Sequence, residues 1–358
     1  MESISRQLSN PSTDNFGKDQ HLKALFPEGK AYTLEFWQDD RAKIRQLWIK
    51  MLGQPAFSDF NRFLEVVDKF EQPEFQATLY NQSTGPTTRQ LVLLMEPKRL
   101  YGSPRPAVVL PFYNPDGTSG FDLKKHARLQ EHPVVHFGWH LVNQGYVVVC
   151  TEAFPYNMVP EKEQKKHKGL DLWQVAAEKL LDENPCWTGM GKLVWDTRLA
   201  VDFLLSQPEI DDQRIAAMGW SLGGKMAFYA GALDERIKAT VAVDFGIGWE
   251  FTNWDALWYW GRQIHDNDFP LAHHQLLALH APRPFLLIGG EADRPESWQY
   301  ILETKKVYRL YGKEDALGFL YHGAGHLPPE ESVITGYRWL AEQFELSEVL
   351  VSRLDRII

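Results

Sequence analysis

One stretch constrains the rest of the chain: residues 214–231, Arg-Ile-Ala-Ala-Met-Gly-Trp-Ser-Leu-Gly-Gly-Lys-Met-Ala-Phe-Tyr-Ala-Gly. An apolar run from Ile215 to Met218 enters Gly219-Trp220-Ser221-Leu222-Gly223, and a helix-favouring run of small residues leaves it. The pattern predicts a strand, a sharp turn and a helix, with a serine at the tip. Backbone bent that tightly has no room for side chains beside it, and Gly219 and Gly223 remove the collisions. A packing turn rich in glycine would carry the same letters. The strand before it and the helix after it favour an exposed nucleophile.

The flanking sequence repeats this strand–helix rhythm. Short apolar runs at 107–110, 146–150, 214–218, 240–243, 285–288 and 318–321 are separated by segments of helix length, among them 192–206, 222–232, 296–311 and 329–345. Near-continuous apolar strands alternating with helices indicate an α/β fold, a mostly parallel central sheet with helices on both faces. Upstream the register differs. Residues 39–52 place Ile44, Leu47, Trp48, Met51 and Leu52 on one helical face, with Gly53 to end the helix. The pattern of 58–70 fits helix or strand equally, and 75–80 and 90–95 read as strands around a turn at 83–86. We therefore expect an N-terminal helical and antiparallel extension over 1–70, its first 30 residues a loosely attached arm. The catalytic-type domain would cover 71–358, with a Trp-rich insertion at about 247–275. The run 161–168 reads as a solvated charged face.

Composition excludes several classes. A net charge of −9 argues against a nucleic-acid partner. No apolar run approaches 18 residues, so no membrane span is expected. The first ten residues lack a basic start and an apolar core, and a cytoplasmic location follows as an expectation. Two cysteines, Cys150 and Cys186, give neither a disulfide framework nor zinc spacing. His132, His136 and His140 recur at spacing four, but Pro133 interrupts any helix there and no carboxylate completes a ligand set. His265, Asp266, Asp268, His273 and His274 read as loop residues. No metal or cofactor is expected, and no phosphate-binding loop or dinucleotide fingerprint is present.

A serine hydroxyl needs a base within hydrogen-bond reach and a carboxylate behind that base. Both are sought in the loops that follow the apolar strands downstream of Ser221. Phe285-Leu-Leu-Ile-Gly-Gly-Glu-Ala-Asp293 is an apolar strand ending in a turn with two carboxylates. Gly318-Phe-Leu-Tyr-His-Gly-Ala-Gly-His326 is a strand ending in a loop with two histidines. Groups just past the carboxyl ends of parallel strands fall where such sheets bind ligands. His326 is the favoured base over His322. Asp293 is the favoured acid over Glu291, with Asp244, at the end of the preceding strand, as the alternative. Two N–H donors must face the developing oxyanion. Leu222 supplies one; Phe112 or Tyr113 supplies the other because Pro111 has no N–H, and Tyr113 is the choice. The segment 249–260 holds four of the 13 tryptophans. Trp254 and Trp258, with Trp220 beside the serine, are expected to line a substrate pocket, although an amphipathic packing segment would look the same.

Gly219-Trp-Ser-Leu-Gly-Gly, Gly290-Glu-Ala-Asp293 and Gly325-His326 resemble the α/β-hydrolase superfamily. Trp187-Thr-Gly-Met-Gly-Lys-Leu-Val-Trp-Asp-Thr-Arg-Leu-Ala-Val-Asp and Pro208-Glu-Ile-Asp-Asp-Gln-Arg-Ile are similar to the acetyl xylan esterase and dienelactone-hydrolase-like group. Leu276-Leu-Ala-Leu-His-Ala-Pro-Arg-Pro-Phe and Val307-Tyr-Arg-Leu-Tyr-Gly resemble glucuronoyl-esterase-like relatives. The resemblance spans roughly 88–345. Some of these relatives place the acid one strand earlier, which keeps Asp244 open. Two departures stand out: Pro111-Phe112-Tyr113 where many relatives have His-Gly, and Ser221 where the dienelactone enzymes use cysteine. The resemblance implies a serine carboxylic-ester hydrolase acting on a small acyl ester, with an acetylated carbohydrate as the family-level expectation. The rivals are an exopeptidase of the same fold and a non-catalytic binding protein.

Overall fold

The computed structural model describes residues 3–12, 16–17, 22–26, 29, 32–98 and 103–346. Nine strands form one sheet: β1 (Leu64–Glu71), β2 (Phe75–Ser83), β3 (Arg89–Pro97), β4 (Arg105–Pro111), β5 (Val147–Thr151), β6 (Ile210–Trp220), β7 (Ala239–Val243), β8 (Phe285–Gly289) and β9 (Leu317–Tyr321). Their spatial order is β1-β2-β3-β5-β4-β6-β7-β8-β9. The pairs β1–β2, β2–β3 and β3–β5 are antiparallel, and every later pair is parallel. This is the α/β-hydrolase arrangement the sequence implies.

Both faces are covered, which is why the parallel strands are apolar throughout rather than alternating. Val108, Leu110, Met218, Val241 and Ile288 point to one face, against α3 (Phe137–Asn143) and α8 (Glu330–Gln343). Ala107, Val109, Ile215 and Ala217 point to the other, against α5 (Gly189–Leu205) and α6 (Leu222–Leu233). On that second side a larger core joins α2 (Leu34–Leu52), α4 (Leu170–Glu183), α6 and α7 (Trp298–Leu310). None of the described helices is long and apolar enough to cross a membrane.

The upstream region differs from expectation in three ways. The helix at 39–52 begins earlier, at Leu34, because the Thr33 hydroxyl caps it by accepting from Phe36 N–H. The ambiguous segment 58–70 resolves as β1, with a bulge between Val66 and Asp68, and the boundary drawn at residue 70 falls inside this strand. The expected arm is only partly described, and its described start is docked rather than loose. A short helix, α1 (Ile4–Leu8), donates Ile4 N–H to Glu342 Oε2 at 2.9 Å, and the Ser9 hydroxyl donates to Asp315 Oδ1 at 3.1 Å. The sequence reading also passed over α4, whose buried stripe of Leu172, Trp173, Ala176, Ala177 and Leu180 follows helical spacing. The run 161–168 is exposed along most of its length, with a short helical turn at Glu161–Gln164.

Candidate active site

Four neighbouring strands, β6, β7, β8 and β9, deliver Ser221, Asp244, Asp293 and His326 to one end of the sheet. Ser221 sits between β6 and α6 with φ 56° and ψ −116°, a conformation that side-chain-bearing residues rarely adopt. The turn closes because a Cβ on Gly219 would run into the backbone of Gly223, and a Cβ on Gly223 would run into the Pro111 carbonyl. The second approach seats the serine turn against the end of β4.

Ser221 Oγ lies 2.9 Å from His326 Nε2, and His326 Nδ1 lies 2.6 Å from Asp244 Oδ2. With its proton on Nδ1 donated to the carboxylate, the imidazole leaves Nε2 to accept from the serine hydroxyl. The imidazole is 39% exposed while the Asp244 side chain is fully buried. Burial alone would raise the Asp244 pKa, but the hydrogen bonds from His326 and from the 290–293 turn outweigh it and hold the carboxyl below its ordinary value. Asp244 Oδ1 collects the N–H groups of Gly290, Glu291, Ala292 and Asp293 at 2.8–3.1 Å.

His326 therefore pairs with Asp244, the alternative, and not with the favoured Asp293. Asp293 is fully buried and faces the other way: its carboxylate accepts from Phe245, Gly246 and Ile247 N–H at 2.7–2.9 Å and from the Ser297 hydroxyl at 3.1 Å. Gly289 permits this, because a Cβ there would meet the Asp293 backbone and Cβ. The two aspartates thus interlock, each carboxylate holding the turn that carries the other. Asp244, at φ 45°, is kept in left-handed backbone by that arrangement. Burial pushes the Asp293 carboxyl up to about 6 despite its three N–H donors.

Sequence reasoning missed Lys225, the one charged residue of α6, all twelve of whose residues are buried. Its ammonium donates to the Phe245 carbonyl at 2.9 Å and lies 3.7 Å from the centroid of the Trp254 ring. Burial lowers its pKa well below the ordinary value, against the opposing pull of Asp293 and Asp244. The signal was legible: a lone lysine in an apolar helix one turn after the serine must find buried partners.

On the β4 side, Phe112 N–H is already donated to the Thr151 carbonyl at 3.2 Å, and the Asn114 side chain caps the next short helix by accepting from Gly117 N–H at 3.0 Å. Tyr113 follows β4 in this loop, and Leu222 opens α6 directly after Ser221. Trp220 stands over the site, its ring centroid 5.0 Å from that of His326 and its indole N–H donating to the His326 carbonyl at 2.8 Å. Trp254 and Trp258 are not pocket walls. Trp254 is fully buried with its indole N–H on the Gly246 carbonyl at 2.7 Å, and Trp258 is 9% exposed and edge-on to Trp173. The Trp-rich segment is a packing element under the acid turn.

His140 and His273 hold structure. His140 Nδ1 meets the Tyr337 hydroxyl at 2.8 Å, and His273 Nδ1 meets the Ile247 carbonyl at 2.7 Å. Burial lowers the His136 pKa to about 4 and that of His140 to about 3. His322, at the end of β9, accepts from Ala324 N–H and packs against Gly290. Among the described residues, no group of three or more His, Cys, Asp or Glu side chains is arranged to hold a metal ion.

The chain has relatives among known proteins. The chain is similar to "Putative hydrolase YtaP" of Bacillus subtilis (strain 168), 28% identical over 200 residues, 53% of this chain and 62% of that one. It is also similar to a 4-O-methyl-glucuronoyl methylesterase of Neurospora crassa, 28% identical over 171 residues, 38% of this chain and 43% of that one. The match thus spans less than two thirds of either relative's length. The glucuronoyl esterase of Solibacter usitatus superposes with a TM-score of 0.66 over 87% of this chain and 94% of its own, at 16% identity, which marks a shared fold. The model of the dienelactone hydrolase family matches residues 132–333, more than half of the chain and the whole stretch from α3 to the histidine loop, and the chain belongs to that family.

Proposed function

We propose that the chain is a serine carboxylic-ester hydrolase working through an acyl-enzyme on a small acyl ester. The observation that carries this reading is the continuous hydrogen-bonded relay Asp244–His326–Ser221, at 2.6 and 2.9 Å. His326 takes the proton of Ser221 as its oxygen attacks the ester carbonyl. The N–H groups of Leu222 and Tyr113 hold the oxyanion, and His326 then returns the proton to the departing alcohol. A water molecule, deprotonated in turn by His326, releases the acid. Asp244 fixes the tautomer and balances the imidazolium in the transition state. An acetyl ester on a carbohydrate is the substrate class the sequence resemblance favours, and the relatives named for carbohydrate ester cleavage support the carbohydrate part of that reading.

The test is turnover of p-nitrophenyl acetate by the wild type and by Ser221→Ala. Loss of at least three orders of magnitude in kcat is expected, and equal rates would overturn the assignment.

A further inference from the structure

The serine and histidine lie close to the surface, so selectivity must come from groups beyond the scissile bond. A cavity of about 950 Å³ opens at the carboxyl end of β5, between β3, the loop that follows β5, and α4. Tyr156 on its wall lies edge-on to Trp173 with centroids 6.3 Å apart, and Trp173 also lies edge-on to Tyr113 at 5.4 Å. Trp173, 5% exposed, thus links the cavity wall to the loop that follows β4. At the cavity floor, Glu152 follows Thr151, the residue whose carbonyl anchors Phe112.

The lining is cationic on a chain whose net charge is −9. Arg89 on β3 stacks on Phe63 at 4.5 Å, and neither it nor Lys124 has a carboxylate at ion-pair distance among the described residues. Lys179 donates to the Met158 carbonyl at 2.8 Å and pairs with Glu183 at 4.0 Å, so the net charge comes from Arg89 and Lys124. Lys165 and Glu161 pair at 3.2 Å and cancel. Glu152 accepts from Leu91 N–H at 3.2 Å, and burial pushes its carboxyl up to about 7, so it offsets only part of the positive charge at neutral pH. Asn157 adds a second signature. It is 7% exposed; its amide N–H is donated to Asp196 Oδ2 at 2.6 Å, and its Oδ1 has no partner. A buried acceptor left unsatisfied is costly, and a hydroxyl is the group that satisfies it.

We propose that this cavity is a subsite of the esterase for an anionic, hydroxyl-bearing part of the substrate, a carboxylate or phosphate carried on a polyol beyond the ester bond. Arg89 and Lys124 hold the anion, and Asn157 accepts from a hydroxyl. The proposal rests on Ser221 as nucleophile.

The experiment compares four acetate esters: acetylated glucuronate, acetylated glucose 6-phosphate, acetylated glucose and p-nitrophenyl acetate. At least one anionic sugar ester should show a kcat/KM tenfold or more above acetylated glucose, expressed in KM, and the better anion identifies the source. The double variant Arg89→Gln/Lys124→Gln should raise KM for that ester at least tenfold, keep kcat within twofold and leave p-nitrophenyl acetate unchanged. Equal turnover of anionic and neutral sugars by the wild type, or an equal loss on all four esters in the variant, would overturn the proposal. Calorimetric binding of free glucuronate and glucose 6-phosphate to Ser221→Ala separates the two readings. Binding that survives there and vanishes in the double variant supports the subsite even if Ser221 is not the nucleophile; no binding of either anion counts against it.

Discussion

Asp244 and Asp293 stand one strand apart with opposite electrostatics. Asp244 is stabilised as an anion, so Asp244→Asn should cut kcat by about 10⁴ as the imidazole loses its tautomer. Asp293→Asn should cost far less in kcat, and paired p-nitrophenyl acetate assays would distinguish them. The pH dependence of stability separates them too. The folded-state pKa of Asp293, about 6, lies above its ordinary 3.8, so the folded state holds the proton more tightly. Stability from this group is present below pH 4 and declines as pH rises to about 6, by on the order of 3 kcal/mol. Asp244, with its lowered pKa, acts in the opposite sense: its contribution is present above its unfolded value and fades as pH falls through its folded one. Urea denaturation of Asp293→Asn between pH 4 and 6 should therefore show a shallower decline than the wild type. The sequence named both carboxylates but favoured the wrong one. Each follows an apolar strand, and the deciding fact, which turn's N–H groups occupy which carboxylate, is made only when β7 and β8 lie side by side.

At the scale of elements, the serine turn was the most legible part because its glycines are sterically required. Gly223→Ala has no space beside the Pro111 carbonyl and no flexible neighbour to yield. It should lower stability by about 2 kcal/mol or more and abolish ester turnover, read by denaturation and assay together. The parallel strands were equally legible, since burial on both faces leaves only apolar residues. The Trp-rich segment was not. Tryptophans stacking on a sugar and tryptophans stacking on one another leave the same letters, and here Trp254 covers Lys225 and ties down Gly246. Trp254→Ala should cost about 3–5 kcal/mol in urea denaturation. Segment 58–70 stayed ambiguous because β1 is an outer strand with a bulge, which breaks the alternation a strand would otherwise display.

At the scale of the molecule, the N-terminal segment closes on the far end of the chain. The Lys305 ammonium donates to the Ser9 carbonyl at 2.5 Å and to Asn10 Oδ1 at 2.9 Å, and Gln343 donates to the Ser5 hydroxyl at 2.6 Å. Deleting residues 1–10 strips a largely buried lysine of both acceptors and should lower stability by about 1–3 kcal/mol, seen as a lower thermal midpoint with the ester kinetics of the folded fraction unchanged. Nothing in the polar, unpatterned letters of that segment announces the docking, because its partners lie some 300 residues away.

The interlocked aspartates also bear on how such enzymes diverge. The histidine loop packs directly on the turn that begins at Gly290, which the Asp244 carboxylate holds. The Asp293 carboxylate in turn holds the N–H groups that follow Asp244. Neither aspartate can be exchanged alone without stranding the backbone donors of the other's turn, so a lineage carrying this pair must keep or replace both together.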